Sequence, residues 1–441
     1  MPNCKQNRSS LNICWPEISE GAIQGVSNGS SSMNHSEHET YRGAWPVLLV
    51  FTLVAGITQL LWLNFAPLIT LVQKQYGVSE LWASTLILVF PLLYVFLSLH
   101  SGALIDRRGF RFTVGVGAVV TAAFSVLRIF DFGFWWLLFA QVGIAAAQPY
   151  VVNGISKLVS DWFAERQGAI ATGVGTMGMF LGMAVGMAWT PSLVAGSSLK
   201  TAMLVFAVIA SVSAGLFLLV AREAPNASYG SAVNPRSFGD LVRQRDLALV
   251  FALAFLGLGF FNGLTTWLEQ ILAPNGINAE QAGLVGGALI FGGIFGAGLI
   301  PALSDSVGRR KPFVIGCIGA ALLTVYPLCT GHNYTVLLAL GAATGLFFLP
   351  AYALLLEMCS ELAGPTSAGY ATGLLMLMGN GGGVVVIVAM QLVKGDGPSY
   401  LPAVWLMLGL LVVAFGLALV VGETFKFKGG PGNLGASCDS P

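Results

Sequence analysis

The sequence predicts an all-α membrane protein with twelve transmembrane helices arranged as two six-helix halves. Three observations predict it: a composition too apolar for water, twelve stretches long enough to cross a bilayer, and an internal repeat near 200 residues. Of the 441 residues, 55% are hydrophobic and only 9% charged, and the mean hydropathy is +0.77. A soluble domain carries about 25% charged residues, so this chain has too little polar surface to cover itself in water.

The apolar stretches, numbered as helices 1 to 12, run over residues 45–73, 80–104, 110–130, 134–160, 168–191, 199–221, 246–273, 280–304, 311–330, 335–360, 366–394 and 400–422. Crossing the hydrocarbon core takes roughly 20 apolar residues, and tilt absorbs any excess. The longest polar interruption, 222–245, falls between helices 6 and 7. It divides the chain into bundles 45–221 and 246–422, joined by a cytoplasmic linker. Residues 1–44 and 423–441 read as cytoplasmic tails. The first is rich in Ser, Asn and Gly and lacks the basic segment and apolar run of a signal peptide, so disorder is expected there.

Orientation follows from the basic residues, which collect on the cytoplasmic side of membrane proteins. With the N-terminus inside, every Lys and Arg faces the cytoplasm except Lys74, Arg128, Lys200 and Lys394. Both termini are then cytoplasmic. The 21 basic residues nearly balance the 20 acidic ones, so no nucleic-acid partner is expected. Six cysteines without paired spacing predict neither a disulfide framework nor a metal site, and no cofactor is expected.

Matches at a common offset reveal a duplication. Gly102-Ala-Leu-Ile-Asp106-Arg107-Arg108-Gly109 follows helix 2, and Pro301-Ala-Leu-Ser-Asp305-Ser-Val-Gly308-Arg309-Arg310 follows helix 8, with the aspartates 199 residues apart. Pro149 and Pro350 differ by 201, and Ala171-Thr172-Gly173 returns 200 residues later as Ala371-Thr372-Gly373. Parallel repeats of this kind place a solute site between the halves near the bilayer midplane. The two loops resemble the major facilitator loop signature, which implies the major facilitator fold. In that reading Asp106, Arg107, Arg108 and Arg111, with Asp305, Arg309 and Arg310, are gating charges that stabilise the outward-open state. The plainer reading makes them topology-setting charges only.

Polar groups inside the spans are costly and so mark candidate sites. Helix 1 carries Gln59, Trp62 and Asn64; helix 4 carries Gln148, Tyr150 and Asn153 beside Pro149. In helix 7, Asn262, Thr266 and Glu269 recur at four and three residues, with Phe261, Trp267 and Gln270 beside them. Helix 11 adds Asn380 among glycines. These four helices are expected to line the solute path. Glu269 lies well inside its span with no basic residue near it in sequence, so it is a candidate proton carrier or counter-ion. Glycines crowd helices 5, 8 and 11, which lets helices approach and slide. None belongs to a phosphate loop, because no Gly-Lys-Ser/Thr follows, so neither an ATPase nor another enzyme is expected.

Leu61-Trp62-Leu63-Asn64-Phe65-Ala66-Pro67 in helix 1 resembles solute carrier family 49, the feline-leukaemia-virus-receptor-like transporters, including their MFSD-seven-like branch. So do Ala147-Gln148-Pro149-Tyr150, Trp162-Phe163 and Leu268-Glu269-Gln270-Ile271-Leu272. The resemblance covers about residues 45–420. It implies a monomeric plasma-membrane carrier for a small organic solute, working by alternating access. A cationic or amphiphilic nutrient such as choline or a vitamin-like amine is the implied cargo. Carried over by position, the pocket tryptophan falls on Trp62 and the helix 4 glutamine on Gln148. Asn262 stands where the choline carriers have tyrosine, and Asn380 where they have glutamine; both departures weigh against choline itself. Proton-driven export of metabolites or drugs, haem transport and a non-transporting receptor remain as alternatives. Haem is disfavoured because His100 and His332 lie at predicted helix ends.

Overall fold

The computed structural model describes residues 40–225 except Arg42, and 238–425 except 365, 366, 396 and 398. The tails over 1–39 and 426–441, linker residues 226–237, and Cys4, Cys14 and Cys438 lie outside the described residues. Twelve described helices are long and apolar enough to span a bilayer: Ala44–Tyr76, Glu80–Arg108, Phe110–Leu127, Phe134–Trp162, Gln167–Ala195, Leu199–Val220, Arg245–Asn275, Ala279–Val307, Lys311–Thr330, Tyr334–Ala363, Ala368–Lys394 and Leu401–Val420. These are helices 1 to 12 in the same order, within a few residues of the stretches read from hydropathy. Helix 1 is interrupted by a 3-10 turn at Ala66–Leu68, where Pro67 lacks the N–H that an α-helical bond needs.

Because the number of spans is even, helix 1 begins and helix 12 finishes at one end of the bundle, called here the terminal end; the opposite is the distal end. Caps at the distal end come from the chain's own side chains. Ser79 accepts the Trp82 N–H at the start of helix 2, and Asn278 forms a reciprocal capping box with Gln281 at the start of helix 8. Each is preceded by a left-handed glycine, Gly77 at φ 65° and Gly276 at φ 82°, so the duplication extends to turn geometry. At the terminal end the caps come from a distance. Glu223 accepts the Arg111 N–H that opens helix 3, and Glu423 accepts those of Arg310 and Lys311 at helix 9. The two glutamates are 200 residues apart, a further repeat match that the residue pattern alone does not single out.

Helix 1 packs on helix 5 and helix 2 on helix 4, and their counterparts join helix 7 to helix 11 and helix 8 to helix 10. Small residues permit this: a Cβ added to Gly56 in helix 1 would stand 2.8 Å from the Gly178 carbonyl oxygen in helix 5. Between halves, helix 5 packs on helix 8 and helix 2 on helix 11. Helix 11, expected among the lining helices, packs on helix 7 of its own half and on helix 2 of the other.

Burial shows where the halves meet. One apolar core joins both halves at the distal side, running from Ile57–Phe90 through Phe260–Leu289 to Val386–Leu411. At the terminal side each half keeps a core of its own, around Phe51, Phe110 and Phe217 in the first and Phe251, Leu354 and Leu375 in the second. Helix 1 is buried on every face from Val54 to Ile69, and helix 7 from Gly259 to Leu272. The halves are closed together distally and part toward the terminal end.

Candidate functional site

Helices 1 and 7 meet where the repeat places equivalent residues opposite each other. Thr70 Oγ1 donates to Glu269 Oε1 at 2.7 Å, and Gln270 Nε2 donates to Thr70 Oγ1 at 2.8 Å and to Glu269 Oε2 at 2.7 Å. Thr70 and Gln270 are 200 residues apart. Equivalent positions touch only near the axis that relates the halves, so this cluster is an axial seal at the distal end. Glu269 is 4% exposed and fully engaged, rather than hydrated at the surface.

Two carboxylates flank the seal in matching places. Glu80, in the first turn of helix 2, accepts from Gln391 Nε2 at 3.2 Å and Tyr400 OH at 3.0 Å, and pairs with Lys394 of helix 11. Burial, and then the charge of Glu80, push the Tyr400 phenol up, so it remains a donor to that carboxylate. Glu280, in the first turn of helix 8, accepts from Ser192 Oγ of helix 5 at 2.6 Å. Each half thus reaches across to the other half's interface helix. Lys394, expected on the outer side, is one side of this latch.

Further in, the candidate residues separate into two groups. Gln59, Trp62, Gln148, Asn262 and Thr266 are buried between 0% and 6% exposure, and each keeps a polar atom with no hydrogen-bond partner among the described residues. The orphans are Gln59 Oε1, Trp62 Nε1, Gln148 Nε2, Asn262 Oδ1 and Thr266 Oγ1. Buried polar groups are normally paired, so five orphans on helices 1, 4 and 7 need an account. Trp62 and Asn262 are themselves 200 residues apart and occupy equivalent levels. Asn262 lies eight residues below Gln270, roughly 12 Å along the helix. Phe261 is buried beside it, and Phe90 stands 6.4 Å from the Trp62 ring.

The second group is satisfied by the protein. Trp267 Nε1 donates to the Ile387 carbonyl at 3.1 Å and its ring faces Tyr400, so it joins helix 7 to helix 11. Asn380 Nδ2 donates to Met376 O of its own helix at 2.9 Å, and Tyr150 OH pairs with His100 Nδ1 at 2.7 Å. Asn64 is not among these satisfied residues: wholly buried at the helix 1 break, it leaves both amide atoms unpartnered among the described residues. A cluster the sequence reading did not assemble sits nearer the terminal end. Tyr94 OH donates to Asn153 Oδ1 at 2.6 Å, Asn153 Nδ2 donates to Ser101 Oγ at 2.7 Å, and Tyr94 OH stands 3.7 Å from Met376 Sδ across the halves. Tyr94 lies on a helix 2 face that hydropathy alone does not distinguish from lipid-facing ones.

Of the loop charges, Asp106, Arg107, Arg108, Arg111, Asp305 and Arg309 are exposed. Arg310 is 1% exposed and pairs with Asp305 at 2.8 Å, Glu357 at 2.7 Å and Glu361 at 3.2 Å. Those pairs all lie inside the second half, so in this conformer they brace it rather than bridge the halves.

The family model described as Major Facilitator Superfamily matches residues 51–387, and again 268–432. The chain belongs to the major facilitator superfamily. It is therefore a multi-pass membrane transporter and not an enzyme. Among its relatives is solute carrier family 49 member A3 of Xenopus tropicalis, 26% identical over 85% of this chain and 83% of that one. The choline/ethanolamine transporter flvcr2a of Danio rerio is 24% identical over 86% of this chain and 87% of that one. The choline/ethanolamine transporter FLVCR1 of Felis catus is 25% identical over 83% and 71%. Of solved structures, the nucleoside transporter NupG matches with a TM-score of 0.68 at 14% identity, covering 85% of this chain and 99% of that one. A bacterial homolog of the human lysosomal transporter Spinster, inward-facing and unoccupied, matches at 0.64 and 16% identity over 88% and 97%. At such identities these two likenesses show the fold alone.

Proposed function

We propose that this major facilitator carrier moves a small hydroxylated organic cation of the choline or ethanolamine class, by alternating access. The observation that carries the reading is the set of orphaned polar atoms on helices 1, 4 and 7. Their chemistry suits such a solute. The Trp62 face attracts an ammonium by cation–π interaction, which desolvation strengthens. Gln59 Oε1 and Asn262 Oδ1 are acceptors for the ammonium N–H groups of an ethanolamine or the hydroxyl proton of a choline, while Gln148 Nε2 and Trp62 Nε1 are donors for a hydroxyl oxygen. The relatives named as choline/ethanolamine transporters support the same solute class.

The bias of Lys and Arg puts the terminal end in the cytoplasm of a plasma-membrane protein, so the conformer is inward-facing. The distal seal and its two carboxylate latches then form the outer gate, which must open in the other half of the cycle. Glu269 supplies the axial charge of that gate and is the group through which a proton would couple to it. Asp106, Arg107, Arg108, Arg111, Asp305 and Arg309 would engage on the cytoplasmic side when the inner ends close.

Uptake of labelled choline and ethanolamine into proteoliposomes tests the proposal. Trp62→Ala should lower apparent affinity about tenfold to thirtyfold, the loss of a desolvated cation–π contact. A transported solute that is neutral or anionic, and is unaffected by Trp62→Ala, would overturn it.

A further inference from the structure

Arg128 follows the last turn of helix 3 at the distal end. It was expected among the outer loop charges, yet it is only 3% exposed. Its Nη1 donates to Gln141 Oε1 at 3.0 Å. Gln141 is held in turn, because its Nε2 donates to the carbonyl oxygens of Leu61 and Leu86, each at 3.1 Å. The other edge of the guanidinium, Nε and Nη2, has no hydrogen-bond partner among the described residues. No ion pair of Arg128 occurs among the described residues. Asp131, the acid nearest in sequence, is exposed, and it accepts from the Gly133 N–H at 3.3 Å. What faces the guanidinium is the Phe65 ring, 6.0 Å from Cζ.

A buried guanidinium without a counter-charge is strongly unfavourable. The unpartnered edge is the side-on fork, two N–H groups pointing the same way, which suits a small anion. Two neighbours add donors. Ser125 and Thr121 lie three and seven residues before Arg128, hence on the same helix face, and are 0% and 3% exposed. Neither hydroxyl has a partner among the described residues, and nor does the Asn64 amide next to Phe65.

We propose that the Arg128 fork, with Ser125 beside it, binds a small monovalent inorganic anion of the chloride type inside the first half. Such an anion would neutralise the guanidinium and tie the end of helix 3 to the break in helix 1. This stands apart from the solute assignment, since it needs neither Trp62 nor any transported cation.

Thermal unfolding of the purified full chain tests it, with sodium chloride titrated against sodium gluconate at constant ionic strength. The melting temperature should rise saturably with chloride, rise equally with bromide, and stay flat in gluconate. Arg128→Gln should remove the rise. Ser125→Ala should raise the half-saturating chloride concentration about fivefold, as expected for one lost hydrogen bond. If Arg128→Gln does not fold, the halide comparison and Ser125→Ala still decide. Coincident chloride and gluconate curves, or a chloride response kept in Arg128→Gln, would overturn the site.

Discussion

Trp62 and Trp267 are both buried, yet only Trp62 leaves its indole N–H unpartnered among the described residues. In the sequence the two look alike, each an aromatic residue beside an amide within an apolar span. The difference is one of direction, because Trp267 finds the Ile387 carbonyl on helix 11 and Trp62 finds no acceptor among the described residues. The intramembrane polar residues were legible because hydrocarbon makes each of them costly. Which of them helix packing would satisfy was not legible. Glu269 shows the same limit: its isolation in sequence marked it, but its partner Thr70 lies 199 residues away. Glu269→Gln removes the axial charge while keeping the size of the side chain. It should flatten any pH dependence of uptake while leaving the protein folded. A pH profile identical to that of the unaltered protein would rule out the proton role.

Helices 2 and 8 open with equivalent turns, and each carries a carboxylate across to the other half, Glu80 to the end of helix 11 and Glu280 to helix 5. The duplication that the Asp106 and Asp305 loops revealed therefore governs the distal end too. It was less visible there because Ser79 and Asn278 cap equally well with different side chains. A hydrogen bond to a charged group contributes about 1.5–3 kcal/mol, and 1.4 kcal/mol is a factor of ten in population. Glu80→Gln should accordingly shift the closed distal end toward opening by about tenfold or more. A Leu71→Cys reporter in purified protein would read this as faster maleimide labelling. An unchanged labelling rate would show that the latch contributes nothing to closure.

Across the whole molecule, the conformer is defined by one core shared at the distal side and two separate cores at the terminal side. Closure depends on how near helices 5 and 8 can come. A Cβ on Gly287 would stand 2.8 Å from the Ala188 Cβ of the other half. Gly287→Val should wedge the halves apart distally, abolishing transport with little loss of expression, as read by proteoliposome uptake against the yield of folded protein. Full activity in that variant would mean the two helices never need this contact. The twelve spans, their division into halves and the duplication were determined by the sequence alone. Span length and hydropathy are one-dimensional quantities set by bilayer thickness, and an offset between repeats can be counted along a chain. Only the tertiary structure decided which end is closed, that Glu269 meets Thr70 on the axis, that Arg310 is braced within one half, and that Arg128 is buried. In an apolar chain nearly every helix face is hydrophobic, so composition does not say whether a face meets lipid, a neighbouring helix or the path between the halves. That choice comes from packing against residues about 200 positions away.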